Sequence, residues 1–148
     1  MIAQHILVPV DFSGHAEQAL EYAMGLASKL SAHLTLLHVI DTMPLGIVDG
    51  GTALPPSYFQ ELEAEVQQEL ETYRQRVQQA GLEGTVMVVH GIPFQGIVET
   101  ARDQKVDLIV MGTHGRTGLA HVFLGSVAEK VVRLAHCAVL VTRGPQPS

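Results

Sequence analysis

The sequence predicts an α/β fold in which an open parallel β-sheet has helices on both faces. Two observations lead to this fold class. Short, almost unbroken aliphatic runs recur along the chain, and longer segments between them repeat their apolar residues every three or four positions. This alternation of strands and helices continues into the C-terminal part of the chain, which is typical of a parallel sheet built from right-handed crossovers.

Five aliphatic runs have the length and composition of buried strands. Each is short for a helix and is bounded by polar or turn-forming residues. The predicted strands are 5–10 (HILVPV), 33–40 (HLTLLHVI), 84–91 (GTVMVVHG), 106–112 (VDLIVMG) and 137–143 (CAVLVTR). Continuous apolar runs of this kind are typical of strands that are covered on both faces.

Four amphipathic segments lie between these strands. The first, 12–30, places alanine and leucine at helical spacing and has Ser13 as its predicted N-cap. The second follows a loop rich in proline and glycine, 41–57, and repeats apolar residues over 59–77. The remaining predicted helices are 93–105, which a proline opens, and 126–136.

Length and charge restrict the classes of function. The chain has 148 residues, enough for one domain that buries roughly 70% of the surface of its unfolded form. Its net charge is −6 with nine Lys and Arg, so a basic face for nucleic acid is not expected. No apolar run approaches the roughly 20 residues that span a membrane, and the opening MIAQHILVPVD does not resemble a signal peptide. With Cys137 as its single cysteine, the chain is expected to be soluble and cytoplasmic.

A long, glycine-rich connection follows the fourth strand. Connections of this type usually take roughly 2–6 residues, but this one runs from Gly112 to Gly125 and includes Gly115 and Gly118. Glycine lets backbone amides approach a ligand closely. The helix that follows, beginning at Ser126, presents unpaired N–H groups and a partial positive charge. Together these features favour a phosphate-binding site.

The same residues also have a purely structural explanation. The glycines could shape a tight loop, and Ser126 with Glu129 three residues later matches a capping box. Two familiar nucleotide motifs do not apply, because the loop lacks the Gly-Lys-Ser/Thr of a P-loop and follows the fourth strand, not the first. For the set of glycines as a whole, phosphate binding is the favoured interpretation.

The sequence offers no clear catalytic or metal-binding constellation. Its eight histidines are scattered over strands, helix ends and loops without the spacing of a metal site. Cys137 opens an apolar strand and is expected to be a small buried hydrophobic residue. Ser126 is the candidate nucleophile nearest the loop, but no neighbouring base in the sequence would activate it. Ligand binding is therefore better supported than turnover.

The spacing G-x2-G-x9-G-S of residues 112–126 resembles the ATP-binding motif of the universal stress protein family. The resemblance continues in ILVPVDFSGHAEQAL, in LTLLHVID and in DLIVMGTHGRTGLAHVFLGSVAEKVVRLAHCAVLVTR, and so covers nearly the whole chain. It implies a Rossmann-like sheet with strand order 3-2-1-4-5, in one domain over residues 1–144 with a short tail, 145–148. In that order the first and fourth strands are neighbours, and open α/β sheets bind ligands in the crevice at such a point.

The resemblance also implies which residues contact ATP. The residues near the adenosine, with the backbone of the last one facing the adenine edge, are Pro9, Val10, Asp11 and Val39. The residues that flank the ribose are Met111 and Gly112, and those that hold the phosphates are Gly115, Gly125, Ser126 and Val127. Mg²⁺ or Mn²⁺ would bind through the phosphate oxygens.

Three of these residues have alternative roles. Asp11 could cap the first helix through Ser13, and without the family resemblance this role is as well supported as ribose binding. Val39 belongs to the core by default, since only its backbone would meet the ligand. Met111 is a residue type that fills cores more often than it lines a ligand.

The resemblance implies a nucleotide-dependent stress regulator that binds ATP and hydrolyses it slowly or not at all. Two alternatives stay open: a nucleotide-processing enzyme on the same fold, such as an ATP hydrolase or adenylyl transferase, and a dimeric interaction module that binds no nucleotide. The enzyme would need a further substrate site, for which 148 residues leave little room. The intact glycine spacing argues against the module without nucleotide.

The last strand, 137–143, is expected to form a homodimer interface. In the order 3-2-1-4-5 it lies at an edge of the sheet, and 138–141 lack the proline or inward-facing charge that protects most edges. Antiparallel pairing about a two-fold axis closes after two copies. The polar tail GPQPS is too short to cover the edge well, although covering by the tail is the alternative.

Overall fold

Strands and helices alternate along the chain as the sequence predicts. The structure is a computed structural model, and it describes residues 3–42, 55–114 and 124–143. Its elements are β1 (His5–Pro9), α1 (Gly14–Leu30), β2 (His33–Asp41), α2 (Pro56–Gln79), β3 (Gly84–Gly91), α3 (Pro93–Asp103), β4 (Leu108–Gly112), α4 (Ser126–Leu134) and β5 (Ala138–Thr142). Most of the predicted loop 41–57 lies outside the described residues.

The five strands form one parallel sheet in the order β3-β2-β1-β4-β5. This confirms the order 3-2-1-4-5 that the family resemblance implies. β1 is the central strand, so the chain first builds outward through β2 and β3 and then crosses to β4 and β5. β5 lies at one edge, as expected.

Helices cover both faces of the sheet. Residues of α1 and α2 pack with Val8 and Leu36 in one core, whereas residues of α3 and α4 pack with Leu7 and Leu37 in the other. Adjacent strand residues therefore enter opposite cores, as the pleat of a strand requires. β1 is followed by a helix on one face of the sheet and β4 by a helix on the other. The order in which the chain adds strands therefore reverses between these two neighbouring strands, which makes this the topological switch point.

α3 ends earlier, at Asp103 and not at 105, and β4 begins later, at Leu108 and not at 106, than the sequence pattern predicts. Lys105 has a positive φ of 55°, which a helical residue does not adopt, so α3 stops at Asp103. Asp107 then accepts hydrogen bonds from the backbone N–H groups of Gln4 and His5, both at 3.0 Å. These contacts place β4 beside β1 from Leu108 onward. None of the helices in the described ranges is long and apolar enough to cross a bilayer.

Candidate functional site

The pairing between β1 and β4 ends before the carboxyl ends of both strands. Among the described residues these strands are paired no further than Leu7 and Ile109, whereas β1 remains paired with β2 as far as Pro9. The backbone groups of successive strand residues point alternately to the two neighbouring strands. Val10 donates to the carbonyl of Leu37 in β2 at 2.7 Å, so the backbone of Pro9 points toward β4. Since proline has no N–H to donate, the ladder stops here, and the region between the two strand ends beyond the last pair is called the gap below.

His38 holds the chain where it leaves β1. Its Nδ1 lies 2.6 Å from the carbonyl oxygen of Val10, and because a carbonyl only accepts, Nδ1 is the donor. The ring also stacks on Phe12 with centroids 5.0 Å apart. Phe12 has a positive φ of 65°, which is uncommon for a residue other than glycine. These contacts turn the backbone out of the sheet directly after Val10.

Val39 lies beside the point where β1 ends. Its backbone N–H and C=O point to the same side of β2 as those of Leu37, two residues earlier, and that side faces β1. They therefore face the space beyond the end of β1. Its side chain packs under α3, where a Cβ added to Gly96 would lie 2.7 Å from a Val39 methyl group. This geometry agrees with a backbone role in ligand binding, which stays a prediction.

Asp11 organises the start of α1. One of its carboxylate oxygens accepts from the backbone N–H of Ser13 at 3.0 Å and from the Ser13 hydroxyl at 2.5 Å. The Ser13 oxygen in turn accepts from the Ala16 N–H at 3.2 Å. Ser13 is therefore the N-cap of α1, as predicted, and Asp11 supports the cap. A carboxylate can accept further hydrogen bonds, so the role of Asp11 in ligand binding stays a prediction.

Gly112 ends β4 in close contact with α1. A Cβ added there would lie 2.9 Å from both the Cβ and the carbonyl oxygen of His15, so a larger residue would displace the helix. Thr113 donates to Thr142 of β5 at 3.0 Å, which directs the backbone groups of Gly112 to the opposite side, toward the gap. Met111 is 5% exposed and packs in the core beneath α3 and α4. This position agrees with its alternative role as a core residue.

The predicted capping box at the start of α4 is wrong. Gly125 is the N-cap, Ser126 is the first helical residue, and no side chain caps the helix. The Gly125 N–H donates to the carbonyl of Thr113, directly after β4, at 2.8 Å, and this bond tethers the start of α4 to the end of β4. A Cβ on Gly125 would lie 2.8 Å from that same oxygen. Glu129 forms an ion pair with Arg133 on the following turn.

The first turn of α4 presents backbone amides next to the gap. A helix leaves its first N–H groups without partners inside the helix, and here these include Ser126 and Val127. The side chain of Ser126 is exposed and that of Val127 is half-buried. The tether from Gly125 keeps these amides close to the end of β4. Gly115, the remaining predicted phosphate contact, lies outside the described residues.

Two histidines at this site escape prediction from the sequence. His38 interrupts an otherwise aliphatic strand, and that is the signal that could have identified it. His15 lies in the first turn of α1 with its ring 5.5 Å from that of His114. No local signal marks His15, because the residues it contacts, Gly112 at the end of β4 and His114, are distant in the sequence.

The described ranges contain no group of three or more His, Cys, Asp or Glu side chains that could hold a metal ion. Cys137 is half-buried. Burial raises the pKa of its thiol above the usual value, which lowers the fraction of reactive thiolate near neutral pH.

Comparison with known proteins assigns the family. The universal stress protein family model matches residues 3–143. The chain belongs to the universal stress protein family. A universal stress protein of Methanocaldococcus jannaschii is 36% identical over 143 residues, which cover 95% of this chain and 82% of that protein.

Solved universal stress proteins have the same fold. The universal stress protein UspA of Lactobacillus plantarum is 32% identical with a TM-score of 0.82, and the match covers 97% of this chain and 99% of that one. A universal stress protein of Archaeoglobus fulgidus in complex with dAMP is 24% identical with a TM-score of 0.68, over 95% of this chain and 98% of that one. The last likeness establishes the fold alone.

Proposed function

We propose that this universal stress protein binds ATP in the gap between β1 and β4 and acts as a nucleotide-dependent stress regulator. The main support is the arrangement around Pro9. Its missing N–H ends the β1–β4 ladder, and the backbone groups of Val39 and Gly112 face the resulting gap from its two sides. The amino end of α4 lies next to Gly112 through the Gly125–Thr113 hydrogen bond, where it suits a phosphate.

The proposed contacts assign each part of the nucleotide to residues on one side of the gap. The end of β1 contributes Asp11 and the backbone of Pro9 and Val10 beside the adenosine, and Val39 presents its backbone to the adenine edge. The ribose and phosphate contacts are Met111, Gly112, Gly115, Gly125, Ser126 and Val127. Mg²⁺ or Mn²⁺ is proposed to accompany the nucleotide through phosphate oxygens.

The proposed activity is binding with slow or no hydrolysis, in the cytoplasm. The resemblance of the glycine loop to the family motif supports ATP over other nucleotides. A net charge of −6 does not favour a nucleic-acid partner. A regulator of this kind changes conformation with the nucleotide it binds. ATP can shift its conformational equilibrium only as far as ATP binds one conformation more tightly than the other.

We also propose that two copies associate through β5. β5 is an edge strand of the sheet, and its residues are half-buried to exposed. The carbonyl of Thr142 accepts from Thr113, directly after β4, so the backbone groups of its neighbour Val141 face outward and are available to a second strand. Two-fold pairing of β5 with itself uses those groups and closes at the dimer.

A thermal-shift titration with ATP and Mg²⁺ tests the binding proposal. Ligand that binds the folded state at 100 times its dissociation constant stabilises that state by about 2.7 kcal/mol. The expected result is a melting temperature that rises with ATP concentration and does not rise with Mg²⁺ alone. An unchanged melting temperature at millimolar ATP, supported by the absence of heat in calorimetric titration, would refute the site.

Steady-state ATP turnover distinguishes the regulator from the enzyme. The expected rate is far below the roughly 1–100 s⁻¹ of kinases. A rate in that range that co-purifies with the protein would favour the nucleotide-processing alternative. ATP binding without measurable turnover agrees with the regulator, and dimerisation without binding would favour the interaction module.

A further inference from the structure

His15 contains a buried nitrogen without a hydrogen-bond partner. The atom is Nδ1 of its imidazole, in the first turn of α1. Buried polar side-chain atoms nearly always have a partner, and an exception in a native structure calls for an explanation. Because His15 lies at the proposed site, an atom of the bound ligand could supply the hydrogen-bond partner that Nδ1 lacks.

The backbone of His15 is held firmly at the end of β4. Its Cβ and carbonyl oxygen occupy the space that a side chain on Gly112 would need, at 2.9 Å from the position of such a Cβ. This contact fixes where the imidazole begins. The position is thus set by the packing of α1 on β4 and does not depend on a flexible loop.

The two imidazoles of His15 and His114 form a row that leads to the start of α4. Their ring centroids are 5.5 Å apart and their planes are inclined by 59°. At the other end of the row, Cδ2 of His114 lies 3.6 Å from where a Cβ of Gly125 would be. The proposed phosphate contacts at Gly125 and Ser126 are therefore one imidazole away from His15.

The electrostatics of this row suit an anion better than a cation. Both α1 and α4 begin here, and the amino end of a helix bears a partial positive charge. The acidic side chains near these helix starts have partners of their own, and just before α1 Asp11 accepts from the N–H and hydroxyl of Ser13. Glu17 pairs with Arg76 of α2 at 3.2 Å, and Glu129 pairs with Arg133.

We propose that His15 donates a hydrogen bond to the terminal phosphate of the bound nucleotide and makes the site selective for nucleoside triphosphates over monophosphates. The inference rests on the proposed ATP site. A half-turn about the Cβ–Cγ bond exchanges the two edges of the imidazole, so Nδ1 leaves its buried position and meets a phosphate oxygen. A monophosphate held at the start of α4 is separated from His15 by the ring of His114. A triphosphate is long enough to reach His15.

Calorimetric titration of ATP and AMP into the parent and His15→Ala tests this proposal. Hydrogen bonds to charged groups are among the stronger ones, so we expect His15→Ala to weaken ATP binding about 10-fold. AMP binding should change less than about 2-fold, because AMP does not reach the residue. His15→Gln, which retains an N–H donor, should recover part of the preference for ATP. The matched control is His136→Ala, an exposed histidine after α4, which should leave both affinities unchanged.

The melting temperature separates a ligand contact from a structural role. His15→Ala removes a buried nitrogen without a partner and places a good helix former in α1, so the unliganded variant should melt no lower than the parent. Equal losses for ATP and AMP, or no loss for either, would overturn the role of His15 while leaving the ATP site intact. A parent that binds neither nucleotide would overturn the ATP site and this inference together. A loss that appears with added Zn²⁺ and disappears in EDTA would show a bridging metal instead of a direct phosphate contact.

Discussion

Ser126 is a residue at which folding and binding can be separated. It is the first residue of α4, its side chain is exposed, and it does not cap the helix. A negative charge in the first turn stabilises a helix by about 0.3–1 kcal/mol. The same charge repels a phosphate bound to the first amides.

We therefore expect Ser126→Asp to melt at the parent temperature or slightly above it and to bind ATP at least about 10-fold more weakly. Thermal unfolding and calorimetric titration measure the two effects. Ser126→Asn, which is polar and uncharged, is the control and should stay within a few-fold of the parent affinity. Undiminished ATP affinity in Ser126→Asp would show that α4 is not the phosphate site.

Asp11 combines a structural contact with its proposed ligand role, so two substitutions are needed. Asp11→Ala removes the acceptor of the Ser13 N–H and hydroxyl and should cost about 1 kcal/mol of stability, as loss of a cap does. It should also weaken ATP binding by about 1–3 kcal/mol if the carboxylate bonds the nucleotide. Asp11→Asn keeps an acceptor for Ser13 and should restore most of the stability.

Denaturant unfolding and ATP titration of both variants decide between these roles. A ligand role requires that Asp11→Ala binds ATP more weakly than the parent after allowing for any unfolded fraction. If both variants bind ATP like the parent, Asp11 is a helix-capping residue and the adenosine contact has to be assigned elsewhere.

At the level of elements, β5 shows which positions of an edge strand are available to a partner. Thr142 accepts from Thr113, the residue directly after β4, so alternation directs the backbone groups of Leu140 to β4 and those of Val139 and Val141 outward. Proline is tolerated in an edge strand where its missing N–H faces solvent. The sequence pattern alone leaves open which residues these are.

Val139→Pro and Val141→Pro should therefore weaken the proposed dimer without unfolding the chain. Light scattering should give about twice the chain mass for the parent and a lower mass for at least one of these variants. Leu140→Pro is the matched contrast, because it removes an N–H from the β4 ladder and should lower the melting temperature itself. A parent that remains monomeric at high micromolar concentration would contradict the proposed interface.

At the scale of the whole molecule, a histidine cluster occupies the end of the sheet opposite the proposed site. His5 Nε2 lies 2.7 Å from the hydroxyl of Thr35, and its Nδ1 donates to the Gln104 carbonyl at 3.2 Å. The ring meets that of His33 edge-on at 5.5 Å. Burial lowers the pKa of His5 below its usual value, and the charge of His33 lowers it further, against opposing contributions from Gln104 and Asp107.

The direction of this shift predicts a loss of stability in acid. Since the pKa of His5 is lower in the folded state, the unfolded chain binds the proton more readily and stability rises with pH in this range. The contribution is complete above the unfolded value of about 6.5 and declines as pH falls from there toward the folded pKa. Urea unfolding at pH 7.5 and pH 5.5 should show this decline in the parent.

His5→Gln should reduce that pH dependence, because it removes the titrating group and keeps side-chain polar atoms near Thr35. His136→Gln, which replaces an exposed histidine, is the matched control, and its stability should be compared with that of the parent at the same two pH values. Equal slopes for His5→Gln and the parent would assign the acid sensitivity to other groups.

Local pattern determined most of the secondary structure. Aliphatic runs and helical periodicity predicted all nine described elements, and β3 at 84–91 agrees with its predicted bounds. The ends of elements differ from the predicted bounds where long-range contacts fix them. At β4, for example, Asp107 accepts hydrogen bonds from the start of the chain at β1. The strand order came from the family resemblance, and the single domain over 1–144 remains a prediction.

The sequence by itself determined the fold class and the N-cap at Ser13, and its family resemblance supplied the residues proposed for the site. The tertiary structure decided what those residues do, because their neighbours are distant in the chain. Gly112 is required by contact with α1, Gly125 and not Ser126 caps α4, and Pro9 ends the β1–β4 ladder because its backbone points to β4. Periodicity reports which face of an element is buried, but the partner across the sheet depends on how helices and strands pack, and that information is not local.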